Sequence, residues 1–210
     1  LKKSYVAEEK KRLPRNSFKN CLINSGLQFF VNKNRKLEII AGFPWFGRWG
    51  RDTFISLPGL TLAMNKPEKC KAVIDNMISE LKGPLFPNMG VGGSTAYNSV
   101  DASLWFFWAL QQYAIYTGSQ GKIWAEYGDK MQLILDGYRK GCDYGIKMLD
   151  NGLIYAGEAG KALTWMDAIV DGKPVTPRTG LAVEINALWY NSLMFSLEVA
   201  KLAGDNTFIE

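Results

Sequence analysis

Apolar positions recur along this chain mainly at helical spacing. Residues 17–31 carry Phe18, Leu22, Phe29 and Phe30 along one side and predict an amphipathic helix. A short strand-like run from Leu37 to Ala41 follows, ending in a loop marked by Gly42, Pro44 and Gly47. Residues 52–64 return to a helical pattern, which Pro58 and Gly59 are expected to kink or split. Residues 66–81 place Val73, Ile74, Met77, Ile78 and Leu81 on one inward face. Residues 83–100 read as a loop long enough to suggest function.

Three further helices are predicted at 101–117, 123–140 and 184–202. The last is apolar nearly all round and is therefore expected to be buried. Before it lies a second long irregular stretch, 149–179, punctuated by Gly152, Gly157, Gly160 and Gly172. About six helices joined by alternating short and long connections describe an all-α domain, a bundle or helical toroid, with its long loops gathered on one face. The chain opens without Met and stops two residues past Phe208, which suggests an excerpt of a longer protein.

Composition narrows the chemistry more than the fold. Of the 210 residues 47% are hydrophobic, enough to bury a core, and no run approaches a membrane span. The first fifteen residues hold six basic side chains against Glu8 and Glu9, so most of the net charge of +5 sits there. Residues 1–16 therefore read as a solvated lead-in or linker, and the folded body lacks the basic face that nucleic acid requires. There is no histidine, and the three cysteines (Cys21, Cys70, Cys142) are far apart. That excludes Ser-His and Cys-His nucleophiles and argues against a zinc site; no cofactor or metal is expected. The unpaired thiols suit a reducing compartment. What remains is chemistry by carboxylates, Arg, Tyr, Trp or backbone.

Four segments supply such groups. Residues 43–53 (Phe-Pro-Trp-Phe-Gly-Arg-Trp-Gly-Arg-Asp-Thr) put Trp49, Arg51 and Asp52 where a helix should begin. Asp52 fits a helix cap, while an Arg-Asp pair also suits adjacent sugar hydroxyls, and Gly47 and Gly50 permit close approach. Residues 97–105 place Asp101 at a loop-to-helix join, again a natural cap, with Trp105 one turn on along the same face. Residues 164–168 (Thr-Trp-Met-Asp-Ala) set Asp167 beside Trp165 where no helix obviously starts, so capping explains it less well. An acid next to an indole is the arrangement that prepares a carboxyl to act as a general acid. Residues 176–186 contain Arg178 and Glu184, which either pair with each other or face a ligand. Each long loop thus carries an acid and an aromatic or Arg, a combination suited to pyranose rings, and paired carboxylates are how most glycosidases work.

These four ordered motifs resemble the amylo-α-1,6-glucosidase domain of glycogen debranching enzymes, over a span from about residue 17 to the end. The Trp-Gly-Arg-Asp segment is also similar to its counterpart in glucoamylases. The resemblance implies an (α/α)6 toroid and inverting hydrolysis of α-1,6-linked glucose at the branch points of glycogen or a related α-glucan limit dextrin, in the cytoplasm. Carried over by motif, Asp167 would be the general acid, and Arg51 and Asp52 would hold the terminal glucose. Trp49, Asp101, Trp105, Trp165, Arg178 and Glu184 would line the substrate pocket. About six helices make half of a toroid, and the family's general base falls on a glutamate C-terminal to residue 210. The chain is thus expected to be catalytically incomplete as it stands, and to cover its inner helices either with further chain or by self-association. A non-catalytic, carbohydrate-binding helical domain is the alternative.

Overall fold

The computed structural model describes residues 12–33, 36–42, 45–91 and 94–209. Most of the lead-in, together with Phe43 and Pro44 of the first motif, lies outside the described residues. The fold is mostly helical. Helix α1 spans Phe18–Leu27, α2 Gly50–Leu60, α3 Pro67–Ile78, α4 Ala102–Thr117, α5 Gln120–Lys140 and α6 Val183–Ala203, with a final turn, α7, at Asn206–Ile209.

Helix α4 is the centre of the core. Its Leu104, Phe106, Phe107, Ala109, Leu110 and Ala114 are buried, and it packs against α2, α3, α5 and α6. Phe54 of α2, Phe86 and Phe106 meet at ring-centroid distances of 4.9 to 5.8 Å. Burying each such ring contributes about 1.5–3 kcal/mol, so this cluster fixes α2, which carries Arg51 and Asp52, against α4. On the other side Tyr138 of α5 stacks on Trp189 of α6 at 6.1 Å.

The connections are not all irregular. Strands β1 (Phe30–Lys33) and β2 (Lys36–Ile39) form an antiparallel hairpin. The predicted first helix therefore stops at Leu27, and Phe29 and Phe30 belong to the hairpin. Strands β3 (Arg48–Trp49), β4 (Met89–Val91) and β5 (Ser94–Ala96) form a small sheet in the order β3-β4-β5. The long 83–100 connection is thus partly a hairpin, held beside the start of α2. Strands β6 (Lys147–Met148) with β7 (Ile154–Tyr155), and β8 (Ile169–Val170) with β9 (Lys173–Pro174), add two short hairpins to the second long connection.

Helix α2 runs through Pro58 without splitting. Proline forfeits one backbone hydrogen bond, but it lies in the last turn, so little helix follows the break, and a 3₁₀ turn at Leu62–Met64 comes next. Two expectations about burial are corrected. Phe18 and Leu22 of α1 are exposed; the buried residue is Asn24, whose amide side chain accepts from Leu13 N–H and donates to Leu13 C=O. Helix α6 is not buried all round: Ile185, Trp189, Phe195, Val199 and Ala200 face α4 and α5, while Val183, Tyr190, Leu193, Met194 and Leu202 are exposed. Its neighbours are α4, α5, the final turn α7 and strand β7, and they leave these five side chains exposed.

Candidate active site

Arg51 is the second residue of α2, and its position begins with a glycine. A Cβ at residue 50 would sit 2.1 Å from the Pro87 carbonyl oxygen, while Gly50 N–H donates to Asn88 C=O at 2.9 Å. The close approach that Gly50 permits is therefore to the chain's own backbone at 87–88. It plants the first turn of α2 against the loop that leads to Asp101.

From there Arg51 reaches across the fold. Its Nε donates to Asp101 Oδ2 at 2.6 Å, and its Nη1 faces Asp167 Oδ2 at 3.4 Å. These partners lie 50 and 116 residues away in the sequence. Asp101 is only 1% exposed, and its other oxygen accepts from the Ser99 hydroxyl. Although Asp101 sits at the cap position of α4, its side chain makes no capping bond. Ser99 does that work: its hydroxyl oxygen accepts from Ala102 N–H at 3.2 Å. The capping reading of Asp101 gives way because an ion pair to a buried guanidinium outweighs a bond to one backbone N–H. Burial opposes the charge on Arg51, but Asp101 and then Asp167 hold it protonated.

Asp167 stays in an irregular segment, with its side chain 29% exposed. That segment is tied down at several points. Leu163 C=O accepts from Val100 N–H at 2.9 Å. Arg178 donates to the Thr164 hydroxyl at 3.3 Å and grips Glu184 with two N–H groups. The hydrogen bond from Arg178, and its charge, hold the Glu184 carboxyl below its ordinary range. Arg178 and Glu184 thus pair with each other and brace the segment that carries Asp167. Trp165 is 54% exposed, and the polar group that meets the Asp167 carboxylate is Arg51.

Asp52 stands apart from this clasp. It lines a cavity of about 240 Å³ with Phe29, Ile40, Ala41, Ile55, Ser56 and Leu60. Burial pushes its carboxyl up, with Arg51 opposing and the charges of Asp167 and Asp101 adding to the rise. None of the other expected wall residues lines this cavity. Trp49 sits at the end of β3 opposite Met89, where its carbonyl accepts from the Thr53 hydroxyl. Trp105 packs edge-on against Trp108 at 5.5 Å.

The structure therefore gathers Arg51, Asp52, Asp101 and Asp167 from three motifs into one electrostatic cluster, with Arg178, Glu184 and Trp165 on its flank. Sequence reasoning missed Ser99 and Thr164, which lie inside the motifs it singled out. The signal for Ser99 was its place three residues before Ala102, the capping distance. Among the described residues no three or more His, Cys, Asp or Glu are grouped to hold a metal ion. Among these residues, too, no helix is long and apolar enough to cross a membrane.

The amylo-alpha-1,6-glucosidase family matches residues 24–208. The glycogen debranching enzyme of Saccharomyces cerevisiae is 28% identical to this chain, covering 77% of it and 14% of the yeast protein. The chain thus spans about one seventh of that relative's length. With the match running from within α1 to the final turn, so that all four motifs fall inside it, the chain belongs to the amylo-alpha-1,6-glucosidase family.

Proposed function

We propose that the protein containing this chain hydrolyses α-1,6-linked glucose at branch points of glycogen or a related α-glucan, with inversion at the anomeric carbon. The observation that carries the reading is the contact of Arg51 with Asp167, from motifs more than a hundred residues apart, with Asp52 next to Arg51 at the edge of a cavity. In a chain without histidine, carboxylates are the natural groups for the proton transfers of glycoside hydrolysis. Asp167 gives its proton to the glycosidic oxygen as the bond to the leaving chain breaks. Arg51 and Asp52 hold the outer hydroxyls of the terminal glucose. An inverting enzyme needs a second carboxylate about 6.5–9.5 Å from the acid, with room for the attacking water. The reading assigns that base to a glutamate C-terminal to residue 210.

On this reading α1 to α6 form half of an (α/α)6 toroid in a cytoplasmic enzyme. The exposed side of α6, with Val183, Tyr190 and Met194, is where the remaining helices would pack. In the 210-residue chain alone the same face would favour self-association.

The test is Asp167→Asn in the full-length protein. Glucose release from glycogen limit dextrin should fall by about 10²–10⁴-fold, the usual share of a general acid, while glycogen binding stays. Undiminished glucose release would remove the assignment. Binding without turnover in the unmutated full-length protein would favour a carbohydrate-binding domain instead.

A further inference from the structure

We infer that Asp101, held by Ser99, is a positioning residue for the reaction proposed above, acting through Arg51 and not by touching substrate; the inference rests on that reading. Asp101 is 1% exposed and both carboxylate oxygens are taken, Oδ1 by the Ser99 hydroxyl and Oδ2 by Arg51 Nε. At that burial neither oxygen is open to a sugar hydroxyl.

The pairing dictates how Arg51 points. With Nε committed to Asp101, only the two terminal nitrogens remain, and Nη1 is the one that meets Asp167. Nη2 is buried and has no hydrogen-bond partner. An orphaned buried N–H is costly. A guanidinium free to turn would relieve it by taking Asp167 in a two-pronged grip. It is kept from doing so because Asp101 is anchored directly by Ser99 and, through its neighbour Val100, by two backbone ties. Ser99 binds its free oxygen, Val100 N–H is tied to Leu163 C=O, and the Tyr138 hydroxyl donates to Val100 C=O at 2.8 Å. Asp101 thus takes up most of the charge of Arg51, leaving Asp167 one long contact at 3.4 Å. That contact orients the acid without gripping it.

The experiment measures glucose release from glycogen limit dextrin by the full-length protein, with melting temperatures recorded alongside. The variants are Asp101→Asn, Ser99→Ala, Arg51→Lys and the Arg51→Lys/Asp101→Asn double. Asp101→Asn should lower kcat by about 100-fold, as misplacement of a catalytic group does, with a much smaller change in KM. Ser99→Ala, which removes the bond to Asp101 and the cap on Ala102 N–H, should lower kcat by about tenfold through the first of these. In the Arg51→Lys background, adding Asp101→Asn should change kcat by less than about twofold, because residues acting as one unit do not add. An equal loss in both backgrounds would mark a structural role and overturn the inference. So would a folded Asp101→Asn protein with unmutated kcat. Should Asp101→Asn fail to fold, Ser99→Ala decides, and an unchanged kcat there overturns the inference. Glucose release that survives Asp167→Asn would instead sink the underlying reading.

Discussion

The carbonyl oxygen of Pro87 occupies the space a Cβ on Gly50 would need, at 2.1 Å. Glycine is required there by packing, since Gly50 is not among the residues with positive φ. The contact sets where α2 starts, and Arg51 and Asp52 are the next two residues.

Gly50→Ala should therefore damage both stability and the site. Either α2 or the 86–88 backbone must move, at a cost of about 1–3 kcal/mol for overpacking. Gly59→Ala is the control: it lies exposed in the same helix with nothing within 4 Å of its added Cβ. That change should stabilise by about 0.5–1 kcal/mol, the usual gain of replacing a helical glycine. Urea denaturation followed by tryptophan fluorescence compares the two, and opposite signs are expected.

Arg48 makes a second buried clasp, unrelated to proton transfer. It donates to Glu80 and to Glu38, tying β3 to β2 and to the segment after α3. The hydrogen bonds from Arg48 hold the Glu80 carboxyl below its ordinary value. A depressed carboxyl stabilises the fold above its unfolded pKa, about 4.3, and that contribution is lost as pH falls through the folded value. Arg48→Met should cost about 3–5 kcal/mol at neutral pH by leaving two carboxylates unpaired. It should also flatten the loss of stability on acidification below about pH 5. Denaturation midpoints at several pH values check this, and an unchanged acid slope would count against it.

Asp52 has the opposite sign. Burial raises its carboxyl, so protonation favours the folded state. That contribution is fully present below the ordinary Asp value, about 3.9, and is lost as pH rises through the folded pKa. Asp52→Asn cannot titrate, so the variant should gain stability relative to the unmutated protein between pH 4 and 7. In the full-length protein it should at the same time weaken limit-dextrin binding, since Asp52 is assigned to the terminal glucose. Thermal melts at the two pH values, with binding measured in parallel, separate the two effects.

The helices were largely legible in the chain. The spacing of Val73, Ile74 and Met77, or of Leu104, Phe107 and Leu110, marks an inward face whatever it packs on, because helical period is a local property. Asp167 in an irregular segment was legible too, from the lack of any helix after it. Of the hairpin strands only β2 was legible, in the run from Leu37; the others are two to four residues long and leave too little period to read. The exposure of Phe18 and Leu22 was hidden because Asn24, with two hydrogen bonds to Leu13, turns α1 the other way.

By itself the sequence determined the six long helices, the four acid-bearing motifs and, by its lack of histidine, a reliance on carboxylates. Only the tertiary structure decided what each acid does: Asp101 as the buried partner of Arg51, Glu184 as the partner of Arg178, Asp52 at a cavity edge and Asp167 left largely ungripped. The physical reason is range. Helical period arises between residues three and four apart, whereas the state of a carboxylate depends on burial and on a cation brought near by packing, here across 50 and 116 residues.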